Sequence, residues 1–182
     1  MIPPVTAAEE EAPAAAAAVA AEAGKGKGGE MMSRTSIKML DTQTPLTEQD
    51  IREAEERLQY RIPAEYRAFL LVYNSGYPER QNFSLSPGGA KDYSVEYFYG
   101  LKVSYGTNLE SILTTYRDRM PGEMFPFARC GGCQICLCTA GNNTGKVYFW
   151  DSEEENPDEP QPCYDNLYLI ANSFDEFLAG LS

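Results

Sequence analysis

The stretch "ARCGGCQICLCT" places Cys130, Cys133, Cys136 and Cys138 within nine positions. Thiolates are soft ligands, and four of them complete a tetrahedral shell around zinc, or hold an iron–sulfur cluster, without help from histidine. Gly131 and Gly132 would let the backbone turn around such an ion. The spacing favours a different structure. Structural zinc sites draw ligand pairs from two separated turns, so that the metal ties distant segments together. Here all four cysteines lie in one run, and in "QICLCT" strand alternation sets Ile135 and Leu137 on one side, Cys136 and Cys138 on the other. Thiols two residues apart on an extended strand are separated by about 6.5–7 Å. Two sulfurs on one zinc lie within about 4 Å of each other. Cysteine is also among the most often buried residue types. A packed strand with no cofactor is therefore expected, and a thiolate metal or redox protein using Cys130, Cys133, Cys136 and Cys138 is the competing class.

A second cluster is acidic. "DSEEENPDE" supplies Asp151, Glu153, Glu154, Glu155, Asp158 and Glu159, and from Gly141 onward nine acids face one base, Lys146. That segment carries −8 of the total −12. A run of like charge is usually a solvated loop. The functional alternative is a lure for a basic surface, which would also speed association. Calcium fits poorly, because the spacing matches no EF-hand and prolines interrupt the run.

The 182 residues contain no histidine. Ser–His–Asp and Cys–His catalysis are thereby excluded, and no catalytic residues are assigned. A chain this acidic is repelled by nucleic acid and by anionic membranes, so neither is expected as a partner. No apolar run approaches the roughly 20 residues of a membrane span. The alanine-rich N-terminal stretch follows Glu9, Glu10 and Glu11 rather than a basic segment, which is unlike a secretion signal. A cytoplasmic location with reduced thiols is expected.

The elements that must position these clusters are marked locally. Thr47 and Asp50 fit a capping box, flanked by Leu46 and Ile51 as a hydrophobic staple. Ile51, Ala54 and Leu58 then recur at helical spacing. Pro63 opens a second helix with Tyr66, Phe69, Leu70 and Tyr73 inward, capped by Asn74, Ser75 and Gly76. A third helix is predicted over 108–119. A fourth follows Ser173, where Ser173 and Glu176 make another capping box. Six β-rich runs lie between, at 82–86, 95–100, 125–129, 134–139, 146–151 and 167–171. The loop 141–145 joins two of them as a hairpin. This order makes an α+β domain. Tyr93, Tyr97 and Tyr99 are expected on one strand face, and Tyr148 and Trp150 on another; those exposed would serve as interface anchors.

Residues 1–40 read as a low-complexity extension before a domain at 41–182. "KGKGGE" directly before Met31 and Met32 resembles a translated ribosome-binding site, so the native start is expected at Met31 or Met32.

"LTEQDIREAEERLQYRIPAEYRAFLLVYNSGYPE" (46–79) resembles the opening of the SUKH superfamily, the Smi/Knr-type proteins, with its Glu-rich helix, its Pro-x-x-Tyr-x-x-Phe-Leu helix and its glycine turn. "VEYFYGL" (95–101), "MFPFARCGGCQICLCTAGNNTGKVYFWDSE" (124–153) and "LIANSFDEFLAGL" (169–181) continue the likeness in order, over 46–181. Ser75 replaces a usual glycine, and the cysteines do not belong to the pattern. The resemblance implies a single domain with a twisted, mostly antiparallel sheet of about six strands and four helices packed around it, and no enzymatic activity. It further implies an immunity protein that binds a cognate toxin, commonly a nuclease, with a basic surface. A regulatory interaction scaffold like the fungal cell-wall-synthesis regulators is the alternative.

Overall fold

The structure, a computed structural model, describes residues 37–85, 92–155 and 161–182. Residues 1–36 of the extension expected at 1–40, and with them the start expected at Met31 or Met32, lie outside the described residues. Strand β1 (Met39–Leu40) pairs with β2 (Tyr77–Pro78), so the folded chain begins before the boundary expected at residue 41.

Helix α1 (Glu48–Leu58) starts as its sequence dictates. The Thr47 hydroxyl accepts the Asp50 N–H at 3.2 Å, and the Asp50 carboxylate accepts the Thr47 N–H at 2.8 Å. Asp50 also pairs with Lys102. Those hydrogen bonds, the Lys102 one first, hold its carboxyl well below the usual range. Helix α2 (Ala64–Leu70) is shorter than its apolar pattern. The cause lies just beyond it, where Asn74, Ser75 and Gly76 all take positive φ. Asn74 is more than a cap. Its amide donates to the carbonyls of Thr44 and Leu101 at 2.9 and 3.0 Å and accepts the Leu101 N–H at 2.9 Å. At Gly76, φ is +119° and a Cβ would lie 2.6 Å from the Leu40 carbonyl oxygen, so only glycine lets β1 approach.

The run expected at 95–100 holds only the two-residue β5 (Tyr97–Phe98), which joins the main sheet, while β4 (Asp92–Ser94), just before the expected run, pairs with β3 (Asn82–Ser84). The switch falls between Val95, whose N–H bonds Gln81, and Glu96, whose N–H bonds Arg129. After α3 (Leu109–Tyr116), capped by Asn108, come β6 (Met124–Cys130), β7 (Cys133–Cys138), β8 (Val147–Trp150), β9 (Leu167–Ala171) and α4 (Phe174–Gly180). The main sheet is an antiparallel meander, β5-β6-β7-β8-β9. Pro126 is tolerated inside it because the register shifts between Pro126 and Ala128. At α4 the Ser173 hydroxyl caps Glu176, but the Glu176 carboxylate reaches back to the N–H of Asn172 rather than of Ser173.

Both faces of the sheet are covered. On one, Phe125, Phe127, Ile135, Leu137 and Phe149 meet Tyr66, Phe69, Phe174 and Phe177 from the helices. The fully buried Tyr66 hydroxyl donates to the carbonyls of Tyr99 and Phe127. Burial, the largest influence, pushes its pKa far up. On the other face Cys136, Cys138 and Trp150 pack with Met120, Met124 and Tyr116. Among the described residues no helix is long and apolar enough to cross a membrane.

Candidate functional site

The cysteines are dealt to opposite faces. Strand β7 begins one residue earlier than its pattern, at Cys133, which sits directly across from Cys130 at the Gly131–Gly132 turn. Cys130 and Cys133 belong to the helix-covered core, Cys136 and Cys138 to the Met120–Trp150 side. A sheet therefore stands between the two pairs, and the four sulfurs cannot share one tetrahedral shell. Burial pushes the Cys130 thiol up to about 11, and likewise raises Cys133 and Cys136. Thiols held protonated are poor ligands and poor nucleophiles.

The acidic loop grows out of β8. Asp151 opens a 3-10 turn over Ser152–Glu154, its carboxylate accepting the Glu153 N–H at 2.9 Å and facing the Cys133 thiol at 3.4 Å. The Ser152 hydroxyl donates to the Gly132 carbonyl at 3.1 Å. The root of the loop is thus fixed to the β6–β7 hairpin. Glu155 is turned inward, its side chain only 7% exposed, and takes both oxygens to Arg119. That guanidinium lies 4.8 Å from the Tyr116 ring centroid and 5.6 Å from that of Trp150. The Glu155 hydrogen bond raises the pKa of Arg119 further. Glu154 accepts the Tyr168 hydroxyl at 2.7 Å, and Glu153 is exposed with no basic partner among the described residues. Asp158 and Glu159 lie outside the described residues.

The four described acids of this run, expected to act alike, are therefore placed differently. Asp151 and Glu155 anchor the loop, while Glu153 and Glu154 face outward. Of the segment from Gly141 on, Glu155 is the one described acid in an ion pair.

Of the aromatic candidates, Tyr99 and Trp150 are fully buried. Tyr93 does not share a face with Tyr97: it packs on Phe83 and Phe149, on the helix-covered side, because the two tyrosines stand on strands of different sheets. Tyr148 is half-buried at the edge of a groove that the sequence did not reveal. This groove, about 390 Å³, is lined by Glu123, Met124, Cys138, Tyr148, Tyr164 and Leu167, with Asn142 and Asn143 at its rim. Tyr164 is 64% exposed, the most exposed large hydrophobic residue described, and its hydroxyl donates to Glu123 at 2.8 Å. The lining comes from three stretches separated in sequence, so no local motif announces it.

Comparison with known proteins gives two matches. Residues 45–180 match the SMI1 / KNR4 family (SUKH-1). The chain is also 30% identical over 152 residues to the SPbeta prophage-derived uncharacterized protein YokK of Bacillus subtilis (strain 168), covering 74% of each chain.

Proposed function

The chain belongs to the SMI1 / KNR4 family (SUKH-1), and from that premise we propose that it is an immunity protein, which binds a cognate toxin and neutralises it by stoichiometric occlusion. It works by contact, without catalysis or cofactor, in the cytoplasm of the cell it protects. The partner is a protein with a basic surface, and a nuclease suits best, because an enzyme that holds phosphate must present positive charge.

The observation that carries this reading is the placement of charge. An acidic segment with one base is set on a rigid sheet, its root tied by Asp151, Ser152 and Glu155, and its outer acids lack basic partners among the described residues. Keeping such charges unpaired costs stability through self-repulsion and gains association rate. Glu153 and Glu154, with Asp158 and Glu159 from the same run, are the acids assigned to the partner.

The test is affinity capture from the producing cells with a rising salt gradient, followed by assay of what elutes. A single basic protein, released as salt screens the contact and losing its toxic activity at one equivalent of this chain, supports immunity. Recovery of a housekeeping complex whose activity is not inhibited overturns it in favour of the regulatory scaffold.

A further inference from the structure

Strand register sets one file of side chains across the outer face of the main sheet, away from α1, α2 and α4. Tyr97, Arg129, Gln134, Trp150 and Leu167 stand side by side, and Pro126, Cys136, Tyr148 and Leu169 form the next file. On this face the molecule twice uses the same chemical unit, a guanidinium held between a carboxylate and an aromatic ring. Arg119 lies over Tyr116 and Trp150 with its Nε donating to Glu155 at 2.9 Å. Arg129 lies 5.9 Å from the Tyr97 centroid, with Nε 3.1 Å from Glu96.

The groove at Glu123 repeats the unit's acid and rings without a base. Glu123 supplies the carboxylate, Tyr148 and Tyr164 the rings, and the Tyr164 hydroxyl fixes the carboxylate beside its own ring. Met124 and Leu167 give an apolar floor for methylenes. Among the described residues no arginine or lysine pairs with Glu123, and Lys146 donates instead to Asn143 on the rim at 3.0 Å.

We propose that this groove is a socket for an arginine side chain presented by a protein partner. The socket presupposes that the chain works by binding a protein, as proposed above, and it names the anchor of that contact. Arginine fits better than lysine, because a planar guanidinium stacks on a tyrosine ring while its forked donors meet a carboxylate and amide oxygens together. The chain as a whole, at −12, draws a cationic partner rather than an anionic one. The same charge disfavours a second copy of this chain, at −12.

The experiment uses the full chain with ¹³C-methyl-labelled methionine and the probe acetyl-Gly-Arg-Gly-amide. The Met124 methyl, on the groove floor, is expected to shift saturably with a dissociation constant in the millimolar range. Glu123→Gln and Tyr164→Ala should each weaken binding by about fivefold or more, and the citrulline analogue, which keeps the shape and loses the charge, by about tenfold. Tyr164 is exposed and Glu123 half-buried, and unchanged signals of the methionines away from the groove before titration show that the fold is intact. No saturable shift at Met124, equal binding of the citrulline peptide, or equal binding by Glu123→Gln would each overturn the socket. The peptide test needs no toxin, so it fails or succeeds independently of the neutralisation assay.

Discussion

Residues 37–140 carry thirteen acids and eleven bases; residues 141–182 carry nine acids and one base. In the first region about half of the charges are paired within the molecule. Arg57 with Glu110 and Lys102 with Asp50 join elements distant in sequence, and Arg67 with Glu48 and Glu55 ties α2 to α1. Their individual contributions are small where exposed, but they fix which helix end meets which loop. The second region has the same kind of side chain and, with the exception of Glu155, no such use for it among the described residues. The difference teaches that acidity in this protein is two things, an internal fastening and an external field. Only the position of a basic partner tells them apart.

The sharpest break of this contrast is at Glu55, whose side chain is 3% exposed and which accepts the Ile62 N–H at 2.9 Å beside Arg67. Glu55→Ala should lower unfolding free energy by about 3 kcal/mol, because it leaves the buried Ile62 N–H without its acceptor and takes from Arg67 one of its two carboxylates. Chemical denaturation measures it. Burial alone would raise the pKa of Glu55, but the Ile62 bond, Arg67 and Arg61 outweigh it, and the net direction is down. Its contribution is therefore complete above the ordinary glutamate value of about 4.3 and is lost as pH falls through its lower folded value. Glu55→Gln should flatten the acid limb of the stability curve over that window.

Next in size is Cys136→Ser. A hydroxyl in the Met120, Met124 and Trp150 cluster should cost about 2 kcal/mol. The same burial predicts that in native protein Cys163, half-buried, reacts with a disulfide reagent well before Cys136. Fast, equal reaction of all five thiols would contradict the packing of β7.

Arg119→Ala tests the one fastening in the acidic region. It removes the partner of Glu155 and the cover of the sole tryptophan, Trp150. A loss of about 1–2 kcal/mol and a red shift in tryptophan emission are expected. The smallest effect on stability belongs to Glu153→Lys, within about 0.5 kcal/mol of the parent. Under the proposed function the same change should slow association with a basic partner by about tenfold at low salt, and less as salt rises. A large stability loss there, or no effect on association, would dissolve the distinction between the two regions.

Several features were legible before any coordinates. The Thr47 and Asp50 cap, the boundaries of β9, and the opposed sides of Ile135 and Cys136 follow from rules acting over a few residues. The limits of that legibility are equally specific. The pattern "VEYFYG" reads as one strand, yet the chain changes partners at Val95 and Glu96, because pairing depends on where Gln81 and Arg129 lie. The apolar face of α2 continues to Tyr73, yet the helix stops at Leu70, since Asn74 is held by Thr44 and Leu101.

The sequence by itself determined the α+β class and the excess of acid, because capping, alternation and composition are properties of neighbouring residues, and its ordered motifs carried the resemblance to the family. The tertiary structure alone decided where each described acid points and what it meets. Glu153 and Glu155 stand two positions apart in one run; the first meets solvent, and the second is turned to an arginine 36 residues earlier in the chain. Likewise Glu123 gains meaning only when Tyr148 and Tyr164 are folded beside it. Such pairings depend on the path of the whole chain, and a short window of residues contains no trace of that path.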